Sequence, residues 1–192
     1  MGKLSYYFTS IRFRVKEKKM SDRGTLWYNN VNYFIRKLLD EKYRVLFQYI
    51  LDTKDKVDIT YNTIPYTYHL IQNGAAVLAL WKLNEMYGNC GILVSHGAYV
   101  YHPYRNKGLG KLLNQFRIDL AKDLGYSILL CTDIESNLPQ RHILTKNGWR
   151  DILSFINKRT GNLNHISYYN LKNNEEIKCN CDRKVETCYC GR

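Results

Sequence analysis

The chain has 192 residues, is 45% hydrophobic and carries a formal net charge of +12. That length suits one domain with a substantial core, and no apolar run approaches the ~20 residues of a membrane-spanning helix. A membrane partner is therefore not expected. The basic stretch Met1–Lys19 lacks the apolar centre of a signal peptide, so the expected location is cytoplasmic. Residues 1–50 hold eleven Lys/Arg against four Asp/Glu. This charge reads either as a solubilising surface or as a face for a polyanion such as nucleic acid. No basic run interleaves with aromatics as a nucleic-acid groove would.

Residues 5–18 alternate loosely through Tyr7, Ile11, Phe13 and Val15 and predict a first strand. Trp27, Val31, Phe34, Ile35, Leu38 and Leu39 repeat with helical period, predicting a helix over 25–40 with Ser21 or Asp22 as cap. Val45, Leu46, Phe47, Ile50 and Leu51 continue it as a second helix or a bent extension. Residues 52–65 read as polar turn. Strands over 66–72 and 75–83 flank Asn73-Gly74, a tight-hairpin signal, and a further strand spans 91–101.

After a glycine-rich turn, Leu112, Leu113, Phe116, Ile118, Leu120 and Leu124 predict a helix that Gly125 stops. The run Tyr126–Thr132 suits a buried central strand. Asn137-Leu138-Pro139 opens a short helix, and Asn147-Gly148 closes it. Two strands, over 149–156 and 165–171, flank the turn Thr160-Gly161-Asn162. An α/β domain over 1–171 follows, with a Cys-rich tail over 172–192.

Cys90 and Cys131 sit among apolar neighbours and read as core thiols. The tail carries Cys179, Cys181, Cys188 and Cys190 as two C-x-C pairs. These are consistent with a reduced tail, a small four-sulfur zinc site, or redox use.

The run Arg105-Asn106-Lys107-Gly108-Leu109-Gly110 joins a strand to a helix. Strand, glycine turn and helix turn the unpaired N–H groups of a helix N-terminus into an anion site. Its spacing fits neither a P-loop nor the dinucleotide fingerprint. It resembles instead the Arg/Gln-x-x-Gly-x-Gly/Ala signature of the GNAT N-acetyltransferase superfamily. Val100 stands five residues before Arg105, and Asn137 eleven before Gly148-Trp149, at the offsets of that family. The text around His96–Gly108 is similar to phage members.

The resemblance implies a mixed seven-stranded sheet in the order strand, two helices, three strands, helix, strand, helix, two strands. The sheet would splay between the fourth and fifth strands. It also implies that acetyl-CoA is the cosubstrate and an amine (small molecule, nucleic-acid base or protein lysine) the acceptor. The pyrophosphate would lie on Arg105, Asn106, Lys107, Gly108, Leu109, Gly110 and Lys111. Ala98, Tyr99, Val100, Tyr101 and Asn137 would complete the cofactor site, with amides near Tyr99–Tyr101 facing the oxyanion.

Many members carry a proton-donating Tyr where this chain has Leu144. That leaves Tyr99, Tyr101 or His142 as donors, or an unprotonated thiolate. His96, four residues before Val100 and so expected on the same strand face, is the candidate base; a satisfied strand histidine is the alternative. Glu85 is a second candidate base. Asp133 and Glu135 read as an acidic rim. A catalytically idle module binding coenzyme A or nucleic acid is the alternative function.

Overall fold

The computed structural model describes residues 18–62, 67–86 and 91–172. Helix α1 (Lys18–Leu38) runs through a π-helical turn at Leu39–Tyr43 into α2 (Arg44–Leu51). Ser21 and Asp22 lie inside α1 rather than capping it. The apolar period begins at Trp27, nine residues after the helix itself starts at Lys18. Val31, Ile35, Leu39, Tyr43, Phe47 and Leu51 recur at four-residue spacing and are all buried. A strict fourth-residue repeat drifts around a 3.6-residue helix, and the wider π turn at Leu39–Tyr43 brings the stripe back towards the core. Asp52 ends α2 in the left-handed region at φ 51°.

The strands are β1 (Val57–Asn62), β2 (Thr67–Gln72), β3 (Ala76–Glu85), β4 (Ile92–Val100), β5 (Ile128–Ile134), β6 (Arg150–Ile156) and β7 (Leu163–Asn170). Helices α3 (Leu109–Asp123) and α4 (Leu138–Lys146) follow β4 and β5. The mixed seven-stranded sheet expected from the sequence is present, in the order β1-β2-β3-β4-β5-β7-β6. Among the described residues, only β4 and β5 pair in parallel.

β1 falls in the stretch read as turn. Its alternation of Val57, Ile59 and Tyr61 with Asp58, Thr60 and Asn62 is strand-like, but the polar half is rich in turn-forming types. The strand expected over residues 5–18 lies outside the described residues. Asn73 and Gly74 both adopt positive φ, 50° and 74°, and Ala75 N–H donates to Gln72 O at 3.2 Å. That is the primed turn which the Asn-Gly pair favours.

One sheet face packs on the helices through an aromatic core. The Phe116 ring of α3 meets Tyr43 at 5.0 Å, Phe47 at 6.2 Å and Trp81 of β3 at 6.0 Å between centroids. Tyr43 Oη also donates to Asp119 Oδ2 at 2.6 Å, tying the π turn to α3. Burial alone would raise the Asp119 pKa, but hydrogen bonds from Tyr43, Lys42 and Gln115 outweigh it and hold the carboxyl below its ordinary value. Among the described residues, no helix is long and apolar enough to cross a membrane.

Phe116→Ala is expected to cost about 3–5 kcal/mol, the range for deleting a buried aromatic ring. Exposed Tyr33→Ala should stay within about 0.5 kcal/mol. Urea unfolding of the two variants measures both.

Candidate active site

β4 and β5 share only three residue pairs, Ile92↔Ile128, Leu93↔Leu129 and Val94↔Leu130. Beyond them β4 runs on to Val100 and β5 to Ile134, each still paired on its outer side, to β3 and β7. A wedge therefore opens in the middle of the sheet. The N-terminus of α3 stands at the same end as Val100, because the connection from β4 to α3 is short.

The cap of α3 is Gly108 at φ 87°, and no side chain bonds the free N–H groups of the first turn. Leu112 N–H is the first to bond back, to Gly108 O at 3.1 Å. The N–H groups of Leu109, Gly110 and Lys111 precede it and have no helical partner. A Cβ at Gly110 would sit 3.4 Å from Ile143 Cδ1 and 4.0 Å from Val100 Cγ2. A side chain there would occupy the space between β4 and α4. Arg105 folds back over the turn, its Nε donating to Val100 O at 2.8 Å. Its guanidinium lies 4.9 Å from the Tyr99 ring centroid.

A cavity of about 460 Å³ opens here. Ala98, Tyr99, Val100, Arg105, Asn106, Gly108, Gly110, Lys111 and Asn137, all among the residues that the family resemblance implies for a cofactor, line it. Tyr101, Lys107 and Leu109 do not; the Leu109 side chain is buried in the core beneath the turn, leaving only its N–H for the helix end. The sequence reading missed Leu113, Arg117, Pro139, Gln140 and Ile143. Three cations and no carboxylate line the cavity, which suits an anionic ligand.

The strand faces differ from expectation. Between the pairs Lys82↔His96 and Leu80↔Tyr99, β4 holds one more residue than β3. Gly97, at φ 61°, absorbs that bulge. Ser95 faces α3, accepting from Arg117 Nη1 at 3.0 Å, and Val100 faces Gly110. His96 and Tyr99 share the other face with their partners Lys82 and Leu80. The bulge thus breaks the period-two argument that placed His96 beside Val100.

On that face Asn84 Nδ2 donates to His96 Nε2 at 2.6 Å, leaving the ring proton on Nδ1. Burial, with Lys82 as a second cause, lowers the His96 pKa below its ordinary value. Tyr101 N–H is spent on Leu78 O at 3.0 Å. Alternation along the strand then turns Val100 N–H away from β3, towards the wedge.

The other candidates lie elsewhere. Glu85 pairs with Leu93 at the closed end of the wedge and accepts from Tyr126 Oη at 3.1 Å. His142 is exposed on α4 and does not line the cavity. Leu144 is buried in the core. Asp133 and Glu135 are not free rim acids: Arg141 binds Asp133 Oδ2 at 3.1 Å and Glu135 Oε2 at 3.6 Å, and His165 contacts Glu135. Arg141 also reaches Asp151 at 3.0 Å. Burial raises the Asp133 pKa against the pull of Arg141. Among the described residues no group of His, Cys, Asp or Glu could hold a metal ion. Cys90 and the four tail cysteines lie outside the described residues.

A strand-bounded wedge thus meets the free N–H groups of a glycine-turned helix at one cavity. The model of the acetyltransferase (GNAT) family matches residues 32–149, and the chain belongs to that family. Among solved structures, the chain is similar to the IAA acetyltransferase from Bacillus cereus ATCC 14579, at 20% identity. That match covers 54% of this chain and 76% of that one, with a TM-score of 0.45. It is also similar to the ribosomal-protein-S18-alanine N-acetyltransferase from Escherichia coli, at 17% identity over 55% and 68% of the two chains, TM-score 0.47. No curated protein matches the chain.

Arg141→Ala should leave the buried Asp133 carboxylate without its counter-charge. The expected loss is about 2–4 kcal/mol, at or below the range for breaking a fully buried pair because Arg141 is partly exposed. Urea unfolding at neutral pH measures it.

Proposed function

We propose that this chain is an N-acyltransferase that moves an acyl group, acetyl in the simplest case, from an acyl-coenzyme A to a primary amine. The observation that carries this reading is the acid-free cavity joining the open wedge to the free N–H groups of α3. The donor's thioester supplies the activated acyl carbon. Gly108, Gly110 and Lys111, with Arg105, hold the pyrophosphate by backbone N–H groups and charge. Val100 N–H, turned into the wedge beside Gly110, hydrogen-bonds the donor's pantetheine arm.

The wedge opens through the sheet, so donor and acceptor reach it from opposite faces. The donor lies on the α3 face, and the amine approaches on the face of His96 and Tyr99. His96 takes a proton from the incoming ammonium, giving up its bond from Asn84 to do so. The amine nitrogen bonds to the acyl carbon and the carbon–sulfur bond breaks. The sulfur leaves as thiolate. Tyr99, which lines the cavity, donates a proton to it and regains one from solvent. Glu85 has no part in this scheme.

Leu144 favours one alternative, a binding module without turnover, since that position cannot protonate a thiolate. A thiol-release assay across a panel of amines decides between them. Release above the amine-free rate supports the enzyme, whereas tight coenzyme A binding without release supports the module. The net charge of +12 also admits acceptors on nucleic acid or basic protein. Repeating the assay with those acceptors over a salt series tests them, because phosphate contacts weaken as salt rises.

Gly110→Glu should weaken coenzyme A binding by ~10-fold or more through crowding and charge repulsion, read by calorimetry. For His96 the sign is that of a depressed histidine pKa. The neutral, base-competent ring persists at neutral pH, and activity falls only as pH drops through the lowered value. His96→Ala should reduce kcat by ~100-fold or more and remove that acid limb, leaving donor affinity intact. An unchanged pH profile would remove His96 from the mechanism.

A further inference from the structure

Arg117 is the least expected residue of the cavity. It lines the wall yet is only 2% exposed. Nη1 donates to Ser95 Oγ at 3.0 Å and Nη2 to Asn114 Oδ1 at 3.1 Å. Its Nε–H has no partner, and neither does the buried Asn114 Nδ2. Both oxygens it touches are neutral. The nearby Cys131 does not neutralise it, since burial pushes that thiol up to about 12. Guanidinium stays charged in proteins, so α3 carries an uncompensated cation into the core beside two unused donors. An interior built for stability alone avoids this arrangement.

Its position says what the cation is for. Ser95 follows Val94, and Cys131 follows Leu130, the last pair before the strands part. Arg117 therefore sits at the narrow end of the wedge, on the donor face. Along α3 it stands ~10 Å from Gly110, at 1.5 Å per residue. A donor whose phosphates rest on the α3 N-terminus points its acyl end towards this place.

We infer that Arg117, steadied by Asn114 behind it, forms a carboxylate site for the far end of the acyl group, so that the preferred donor is a dicarboxylic monothioester of coenzyme A rather than acetyl-CoA. This rests on the acyl-coenzyme A reading given above and narrows its donor. The guanidinium supplies the charge and, through its unpartnered Nε–H, a donor for the carboxylate. Ser95 and the Asn114 oxygen hold the guanidinium in place before the donor arrives.

The test is calorimetry of the intact protein with acetyl-, malonyl- and succinyl-CoA. One carboxylate-bearing donor should bind ~10-fold or more tighter than acetyl-CoA, the scale of a charge-assisted hydrogen bond. In Arg117→Met that ratio should fall to about one. The ligand-free melting temperature should hold or rise, because an apolar isostere replaces an unpaired buried charge. Arg117→Lys, which keeps the charge without the fork, should show an intermediate ratio. Equal wild-type affinity for the three donors would overturn the inference while leaving the acyl-coenzyme A reading intact. Failure of all three to bind would overturn both. A preference that appears only for carboxylate-bearing acceptors would also overturn it, as would a marked fall in the melting temperature of Arg117→Met.

Discussion

The three-pair contact between β4 and β5 is the constraint on which the rest depends. A parallel pair that continued would satisfy its own backbone and close the sheet. Stopping at Val94 and Leu130 leaves peptide groups on two inner strand edges that need other partners. One is met inside the chain, where Arg105 caps Val100 O. On the β4 side, Ala98, Tyr99 and Val100 line the cavity. Outer pairing to β3 and β7 holds both strands rigidly apart, so the opening belongs to the sheet rather than to a mobile loop.

Stability and binding are divided along α3. Leu113, Phe116 and Leu120 are buried, and Phe116 anchors the helix to the aromatic cluster. Asn114 and Arg117, one residue further round in each case, put polar atoms into the same dry surroundings. The helix is thus buried over most of its circumference. Its apolar contacts offset the cost of a guanidinium that a core would otherwise exclude. Departures of this kind from local packing rules are expected where a ligand completes the structure.

What the sequence made legible was local. The glycine turn, its offset to Val100 and the Asn-Gly hairpin are set by backbone conformations that few residues adopt, so they survive without tertiary context. β1 was hidden because Asp58 and Asn62 are turn formers; pairing with β2 holds them in a strand. Arg117 was hidden for a related reason: a charged residue on an amphipathic helix reads as its solvent face. The face of His96 depended on one positive φ at Gly97, which looks like any strand glycine until the register with β3 is known. The absence of a Tyr at Leu144 was legible, whereas the scatter of Glu85 and His142 away from the cavity needed the sheet.

The bulge at Gly97 also separates two things that a strand normally links, the count of residues and the face they address. Residues before it and residues after it are counted in opposite parity. Deleting that one position would leave a regular ladder, with Lys82 still opposite His96 and Leu80 still opposite Tyr99. The His96 imidazole would stay on the open side and the Ser95 hydroxyl among the helices. What the extra residue adds is bend and twist in β4, so its loss would alter the course of the strand at the wedge rather than the faces its side chains address.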